Sequence, residues 1–340
     1  MNTKNIRLSV LDQSPIRKGV TAEQAVKETI ELAKYTDRLG YTRFWVSEHH
    51  NTGSLAGSTP EVLMAHLAGQ TKNIRIGSGG VMMPNHSALK VAENFRMLEA
   101  LFPGRIDLGM GRAPGTDRLT ASMLNPSNQF RQQDFIEQLY DLINFFHDRG
   151  EPGTPMAKIR AIPQVQTVPA MWLLSSSGES GLFAAHFGMG LSFAHFINPN
   201  GGPEAVEAYR QRFQPSEDNA EPQASVAIFV FCSEDEEKIR QHQALMDYRF
   251  NQFEKGGGLT PVGYEDIKDV VYTADEQGRI LHNRKRVITG TPTQMKVKLT
   301  QLANDYDIDE IIAVTITEDF EDRLTSYKLL AEVFGLGDKE

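Results

Sequence analysis

Rhythm constrains this chain more than any other feature. Short apolar runs of strand length alternate with longer amphipathic stretches almost from end to end. The strand-like runs are Ile6–Leu11, Arg43–Ser47, Ile74–Met83, Ile106–Met110, Ala170–Leu174, Met189–Phe193, Ser225–Cys232 and Glu310–Thr315. Between them lie segments of helical periodicity: Ala22–Leu39 behind Thr21, Pro60–Gln70 behind Thr59, Ser87–Leu101, Asn128–Arg149, Gly181–Phe187, Pro203–Phe213, Glu234–Phe253, Thr293–Tyr306 and Asp322–Phe334. Strands joined by helices form parallel sheets, because a parallel pair needs a long crossover. Eight of them with right-handed crossovers predict an α/β chain, a (β/α)8 TIM barrel, as one domain over residues 1–340. Two stretches interrupt the rhythm. Residues 150–168 are proline-rich. Residues 255–290, with Gly256-Gly257-Gly258 and the basic run Arg284-Lys285-Arg286, form the largest insertion, before the last strand, and read as a lid or a surface excursion. The basic run by itself reads mainly as a solvated loop.

Bulk properties narrow the function classes. With 35 basic and 44 acidic residues the net charge is −9, which argues against nucleic-acid or anionic-membrane partners. One cysteine, Cys232 in an apolar run, allows no intrachain disulfide and suits a reducing, cytoplasmic setting. The N-terminus has no apolar leader, and no run approaches the roughly 20 residues of a membrane span.

In such barrels chemistry gathers at the C-terminal strand ends, and four of these ends are unusual. The second carries Glu48-His49-His50. Adjacent histidines on extended backbone diverge, which argues against one shared metal. A histidine beside a carboxylate suits proton transfer or hydrogen bonding of developing charge, and a capped, solvated turn is the plainer alternative. The third, Gly77-Ser78-Gly79-Gly80, lets a flat ligand approach or merely forms a bulge. The fourth, Gly109-Met110-Gly111-Arg112-Ala113-Pro114-Gly115, offers an arginine for a phosphate or for a surface ion pair. Its glycines do not have dinucleotide-fingerprint spacing. The fifth, Ser175-Ser176-Ser177-Gly178-Glu179-Ser180, places hydroxyls at a helix start, as an anion cup or as simple capping by Ser177. Together these parts suit a flat phosphorylated cofactor such as FMN.

RFWVSEHHN, IGSGGVMMPNHSALKVAE, FPGRIDLGMGRAPGTD and the serine cup before GLFAAHFG resemble the bacterial-luciferase-like flavin-dependent monooxygenases. The resemblance is densest over residues 6–115, resumes at 169–195, and extends loosely to the last strand. It implies a (β/α)8 barrel that takes reduced FMN from a separate flavin reductase. The flavin would activate O2 as a C4a-hydroperoxide to oxidise a small organic substrate, in a homodimer. By this resemblance His49 is the active-site histidine, with Glu48 and His50 beside it as catalytic residues. Gly79 and Gly80 lie against the flavin ring, across a strained or cis peptide. Gly111, Arg112, Ser176, Ser177, Gly178 and Ser180 hold the cofactor, with Arg131 as a second phosphate arginine. Gly111 stands where light-emitting members carry a reactive cysteine, which speaks against light emission. Alternatives are F420-dependent hydride transfer on the same fold and a non-catalytic flavin-binding protein. Phe193, Phe196 and the 255–290 segment are expected to line the substrate pocket, whose apolar character suggests an uncharged substrate.

Overall fold

The structure, a computed structural model, describes residues 5–127, 129, 131–150, 152–256 and 260–337; Asn128, Gly257 and Gly258 lie outside the described residues. Nine strands appear among them: β1 (Arg7–Asp12), β2 (Arg43–Val46), β3 (Arg75–Met82), β4 (Ile106–Gly111), β5 (Ala170–Ser175), β6 (Gly190–Ala194), β7 (Ala224–Cys232), β8 (Val287–Gly290) and β9 (Glu310–Val314). All pairings among these strands are parallel. β1 to β7 pair in chain order, β7 pairs β9, and β9 pairs β1, closing an eight-stranded barrel. The described helices are α1 (Ala22–Arg38), α2 (Pro60–Gln70), α3 (Ala88–Leu101), α4 (Arg118–Leu124), α5 (Gln132–Phe146), α6 (Gly178–Phe187), α7 (Gly202–Arg212), α8 (Glu236–Glu254), α9 (Tyr264–Ile267), α10 (Ala274–Asn283), α11 (Pro292–Asp305) and α12 (Phe320–Phe334).

Strand periodicity of two sorts the side chains into two cores. Outward residues such as Val10, Phe44, Ile76, Leu108, Leu173 and Ile311 pack under the helices. Inward residues Leu11, Trp45, Trp172, Ala227, Phe229, Ile312 and Val314 fill the barrel, with Trp45 edge-on to Trp172 at 5.7 Å. Nearer the strand starts the interior is ionic. Arg43 bridges Asp107 (2.9 Å) and Glu310 (2.8 Å), Arg75 holds Asp107 (2.7 Å), and Trp45 Nε1 donates to Asp107 (3.0 Å). Arg43 also lies over the Trp172 ring at 4.7 Å. Each charge of this layer is thus matched, as burial demands.

Two sequence expectations change. The single helix expected over 128–149 is replaced by α5, which starts at Gln132, and the short α4 precedes it, its first turn capped by Asp117. The 255–290 segment is not a free excursion. It contains α9, α10 and β8, and β8 extends the sheet by pairing Val287–Gly290 with Phe229–Cys232, beyond the stretch of β7 that pairs β6. Asn283 donates to Glu254 (2.7 Å), Arg284 grips Asp247 (2.7 Å), and Lys18 meets Asp266 (2.6 Å), tying the segment to α8 and to the loop after β1. The Arg284-Lys285-Arg286 run forms a 3-10 turn rather than a loose loop.

Candidate active site

At the C-terminal strand ends lies a cavity of about 230 Å³. Its floor is apolar, formed by Leu11, Trp45, Leu174, Ala227 and Ile312, and Gly79 and Gly111 contribute bare backbone. The Gly79–Gly80 peptide is cis. A Cβ on Gly79 would meet Leu11 Cδ1 at 2.7 Å and Trp45 Cβ at 3.0 Å, so glycine keeps this floor flat. Gly80 does not line the cavity. A Cβ there would meet Leu174 Cδ1 at 2.6 Å and the Gly109 carbonyl oxygen at 2.8 Å, so packing against β5 and the fixed backbone of β4 requires it.

Of the three residues ending β2, only His49 reaches the cavity. Its Nδ1 lies 3.0 Å from Ser47 Oγ, and among the described residues Nε2 has no hydrogen-bond partner. Burial lowers its pKa below the ordinary 6.5, against the attraction of Glu48, so the ring is neutral near pH 7. Glu48 is fully buried and turned away from the cavity into a network. It accepts from Met82 N–H (2.8 Å), Asn85 Nδ2 (3.0 Å), His50 Nε2 (2.8 Å) and His86 Nε2 (2.9 Å). Burial opposes its charge, but the bonds from His86, His50 and Asn85 prevail and its pKa is lowered. Burial likewise opposes protonation of His86, yet the bond to Glu48 prevails and raises its pKa. Since an ionised carboxylate only accepts, the Nε2 atoms of both histidines carry protons. His50 also clamps the loop after β4, its N–H reaching the Gly115 carbonyl (3.3 Å) and its carbonyl accepting from Thr116 (3.0 Å). Neither His86 nor Asn85 stands out in the sequence; their signal is the Asn85-His86-Ser87 triplet just after β3.

At the other end Ser175, Ser176, Ser177 and Ser180 line the cavity. Ser177 is the N-cap residue of α6, yet its hydroxyl makes no capping bond, so simple capping does not account for it. Gly178 begins the helix. Arg112 lines both this cavity and an adjoining groove of about 660 Å³, shared with Thr116, Arg118, Gln129 and Gln132. It pairs with Glu179 at 2.7 Å, while Gln132 Nε2 donates to the other Glu179 oxygen at 2.8 Å. Arg131 is not brought to the cup; exposed, it pairs with Asp134 of its own helix at 2.6 Å. Phe196 and Ile197 form the wall towards β6. Phe193 does not, contrary to expectation. It is an outward residue of β6, fully buried against Tyr306 with ring centroids 5.8 Å apart. Cys232 is plain core, its thiol pushed up to about 12 by burial.

The parts fit a flavin. A glycine-levelled apolar floor suits a flat ring, and hydroxyls with open helix N–H groups suit its phosphate. The cavity alone, about 230 Å³, is below the ~300 Å³ of ordinary cofactor pockets, and the groove adjoining it at Arg112 adds room.

The family model of luciferase-like monooxygenases matches residues 6–306. Two Bacillus subtilis (strain 168) proteins align along nearly their whole length. "Uncharacterized protein YwcH" is 48% identical, with 97% of this chain and 99% of that protein covered. N-acetyl-S-alkylcysteine monooxygenase is 35% identical, with 96% and 98% covered. The crystal structure of apo-MsnO8 superposes with a TM-score of 0.91 at 35% identity, over 98% of this chain and 100% of that one. This chain therefore belongs to the luciferase-like monooxygenase family. More distant neighbours share the fold alone: an FMN complex of 3,6-diketocamphane monooxygenase from Pseudomonas putida (TM-score 0.69, 18% identity, 96% and 97% covered) and an F420-dependent secondary alcohol dehydrogenase (0.69, 11%, 97% and 99%).

Proposed function

We propose that this chain is a flavin-dependent monooxygenase that uses reduced FMN and O2 to oxidise a small organic substrate. One observation carries the reading: a neutral histidine with a free Nε2 faces a glycine-floored cavity whose opposite end is a hydroxyl cup. When bound, reduced FMN supplies the electrons that activate O2. Leu11, Trp45 and Gly79 would seat its ring, and Ser176, Ser177, Ser180, the Gly178 N–H and Arg112 would take its phosphate. Arg112 must then exchange Glu179 for phosphate, and Gln132 is already in place to keep Glu179. His49 holds or moves a proton at Nε2, its ring fixed by Ser47. Glu48, His50 and His86 act as positioning residues, joining the β2 end to the β3 and β4 loops. The apolar floor excludes water from the ring. The name of the N-acetyl-S-alkylcysteine relative supports a small organic substrate.

The test is anaerobic titration with reduced FMN, oxidised FMN and F420, followed by O2 uptake on adding a candidate substrate. Reduced FMN is expected to bind, and His49→Gln to keep that affinity while losing substrate-dependent uptake. Failure of FMN to bind in either redox state would sink the reading; selective F420 binding would replace it with hydride transfer.

A further inference from the structure

The helix–strand segment between β7 and β9 sets two half-buried arginines beside the inner apolar cluster without carboxylate partners; neither lines the cavity itself, which they reach through a row of phenylalanines. The Arg286 guanidinium stacks over Phe250 at 5.3 Å. Phe250 packs on Phe229 (5.9 Å) and Phe229 on Phe196 (5.3 Å), which lines the cavity. Arg286 Nε is buried with no acceptor. One residue before Phe250, Arg249 Nη1 reaches only the Ile316 carbonyl at 3.4 Å and Met246 Sδ at 3.9 Å. Phe229 and Met246, with Phe250 and Ile316 packed against them, belong to the apolar cluster that includes the cavity floor.

Neighbouring cations are matched: Arg284 holds Asp247 at 2.7 Å and Arg279 holds Glu254 at 3.5 Å. The carboxylates that act on the two unmatched arginines are engaged elsewhere. Glu318 accepts from Tyr264 N–H (2.9 Å) and Glu254 from Asn283 (2.7 Å). Among the described residues neither Arg249 nor Arg286 has an ion pair. Burial pulls both guanidinium groups below their usual pKa, Arg249 to about 10. An unmatched, half-buried cation beside an aromatic wall lacks the anion that would offset its partial loss of water, and a ligand carboxylate would supply it. If the serine cup takes a cofactor phosphate at the β5 end, the cationic rim beyond Phe229 and Phe196 is left for the other reactant.

We propose that Arg286, assisted by Arg249, binds a carboxylate on the substrate, whose apolar body lies along Phe250, Phe229 and Phe196. This reverses the sequence-based expectation of an uncharged substrate and rests on the flavin reading for the choice of cup and floor. Both tryptophans lie in the barrel interior, and Trp45 lines the cavity, so their fluorescence reports occupancy without flavin. The probes are octanoate and octanamide, titrated into the whole protein, with FMN affinity measured separately. Octanoate is expected to bind roughly tenfold or more tighter than octanamide. Arg286→Gln should abolish that preference, Arg249→Gln reduce it, Arg286→Lys restore part of it, and Arg284→Gln leave it intact. Melting curves of each variant identify any that fail to fold; a conditional preference is then read from Arg286→Lys. Equal binding of the two probes, no octanoate binding, a preference surviving in the double glutamine variant, or an Arg286→Gln effect on FMN instead would each overturn the proposal. Loss of the flavin reading would show separately, as absent FMN binding with octanoate binding intact.

Discussion

Replacing Glu48 by glutamine keeps the volume and removes one charge at the centre of the strand-end network. The amide cannot satisfy its surroundings in either orientation. With its NH2 at the Oε2 position it confronts the Met82 N–H, a donor fixed by the backbone at 2.8 Å. With the NH2 at Oε1 it confronts Asn85 Nδ2 and His50 Nε2. Hydrogen bonds to a charged group contribute about 1.5–3 kcal/mol each and a buried unmatched donor costs about 1–3 kcal/mol, while relief of the buried charge offsets part of both. A net loss of about 3 kcal/mol follows. With about 2.1 cal/mol/K of unfolding entropy per residue, 340 residues give about 0.7 kcal/mol/K, so Tm should fall by about 4 °C. The assay is differential scanning calorimetry across pH. Glu48 has a lowered folded pKa, so its contribution is present above the ordinary 4.5 and is lost as pH falls through the lowered value. His86 has a raised one, so its contribution is full below 6.5 and fades as pH rises through the raised value. The Tm gap between wild type and Glu48→Gln should therefore be widest between those limits and shrink on the alkaline side. A gap below about 1 °C, or one independent of pH, would refute the network as the holder of this strand end.

Other consequences are as direct. His49→Gln should lower turnover by about 10²–10⁴, and the acid limb of the wild-type rate profile should fall below pH 6.5, because burial lowers the His49 pKa; an acid limb above 6.5 would contradict the buried geometry. Glu179→Gln frees Arg112 from a half-exposed ion pair worth about 0–1 kcal/mol, so FMN affinity should rise by up to about fivefold; weaker binding, measured by flavin fluorescence quenching, would contradict the exchange. Gly80→Ala should lower stability by about 1–3 kcal/mol, because its Cβ strikes the β4 backbone, whereas Gly79→Ala meets the movable end of Leu11 and should chiefly weaken FMN; urea unfolding and titration separate the two. Asp107→Ala removes the partner shared by Arg43, Arg75 and Trp45, leaving Arg43 only Glu310, and should cost about 3–5 kcal/mol with FMN affinity unchanged in the folded protein.

The barrel was legible because every barrel strand is bounded by turn residues and followed by helical periodicity. β8 was not. Its four residues follow a basic run, and their strand character comes from an exposed edge that β7 offers only after β6 has ended. Phe193 and Phe196 look alike in sequence, but strand parity sends Phe193 outward, and only the residue past the strand end turns into the cavity. Glu48, His49 and His50 were conspicuous as a group, while the division of labour among them depends on His86 and Asn85, brought in by a different strand. Arg131 and Arg112 are equally basic; a same-helix Asp134 claims one, and the strand end presents the other.

The ionic layer of Arg43, Asp107, Glu310 and Arg75, with the two tryptophans above it, fills the barrel beneath the cavity floor. A ligand seated on Leu11 and Trp45 with a second one resting above it would have to enter first and leave last. On the proposed reading the flavin ring would be that deepest guest, so the substrate would arrive after it and depart before it.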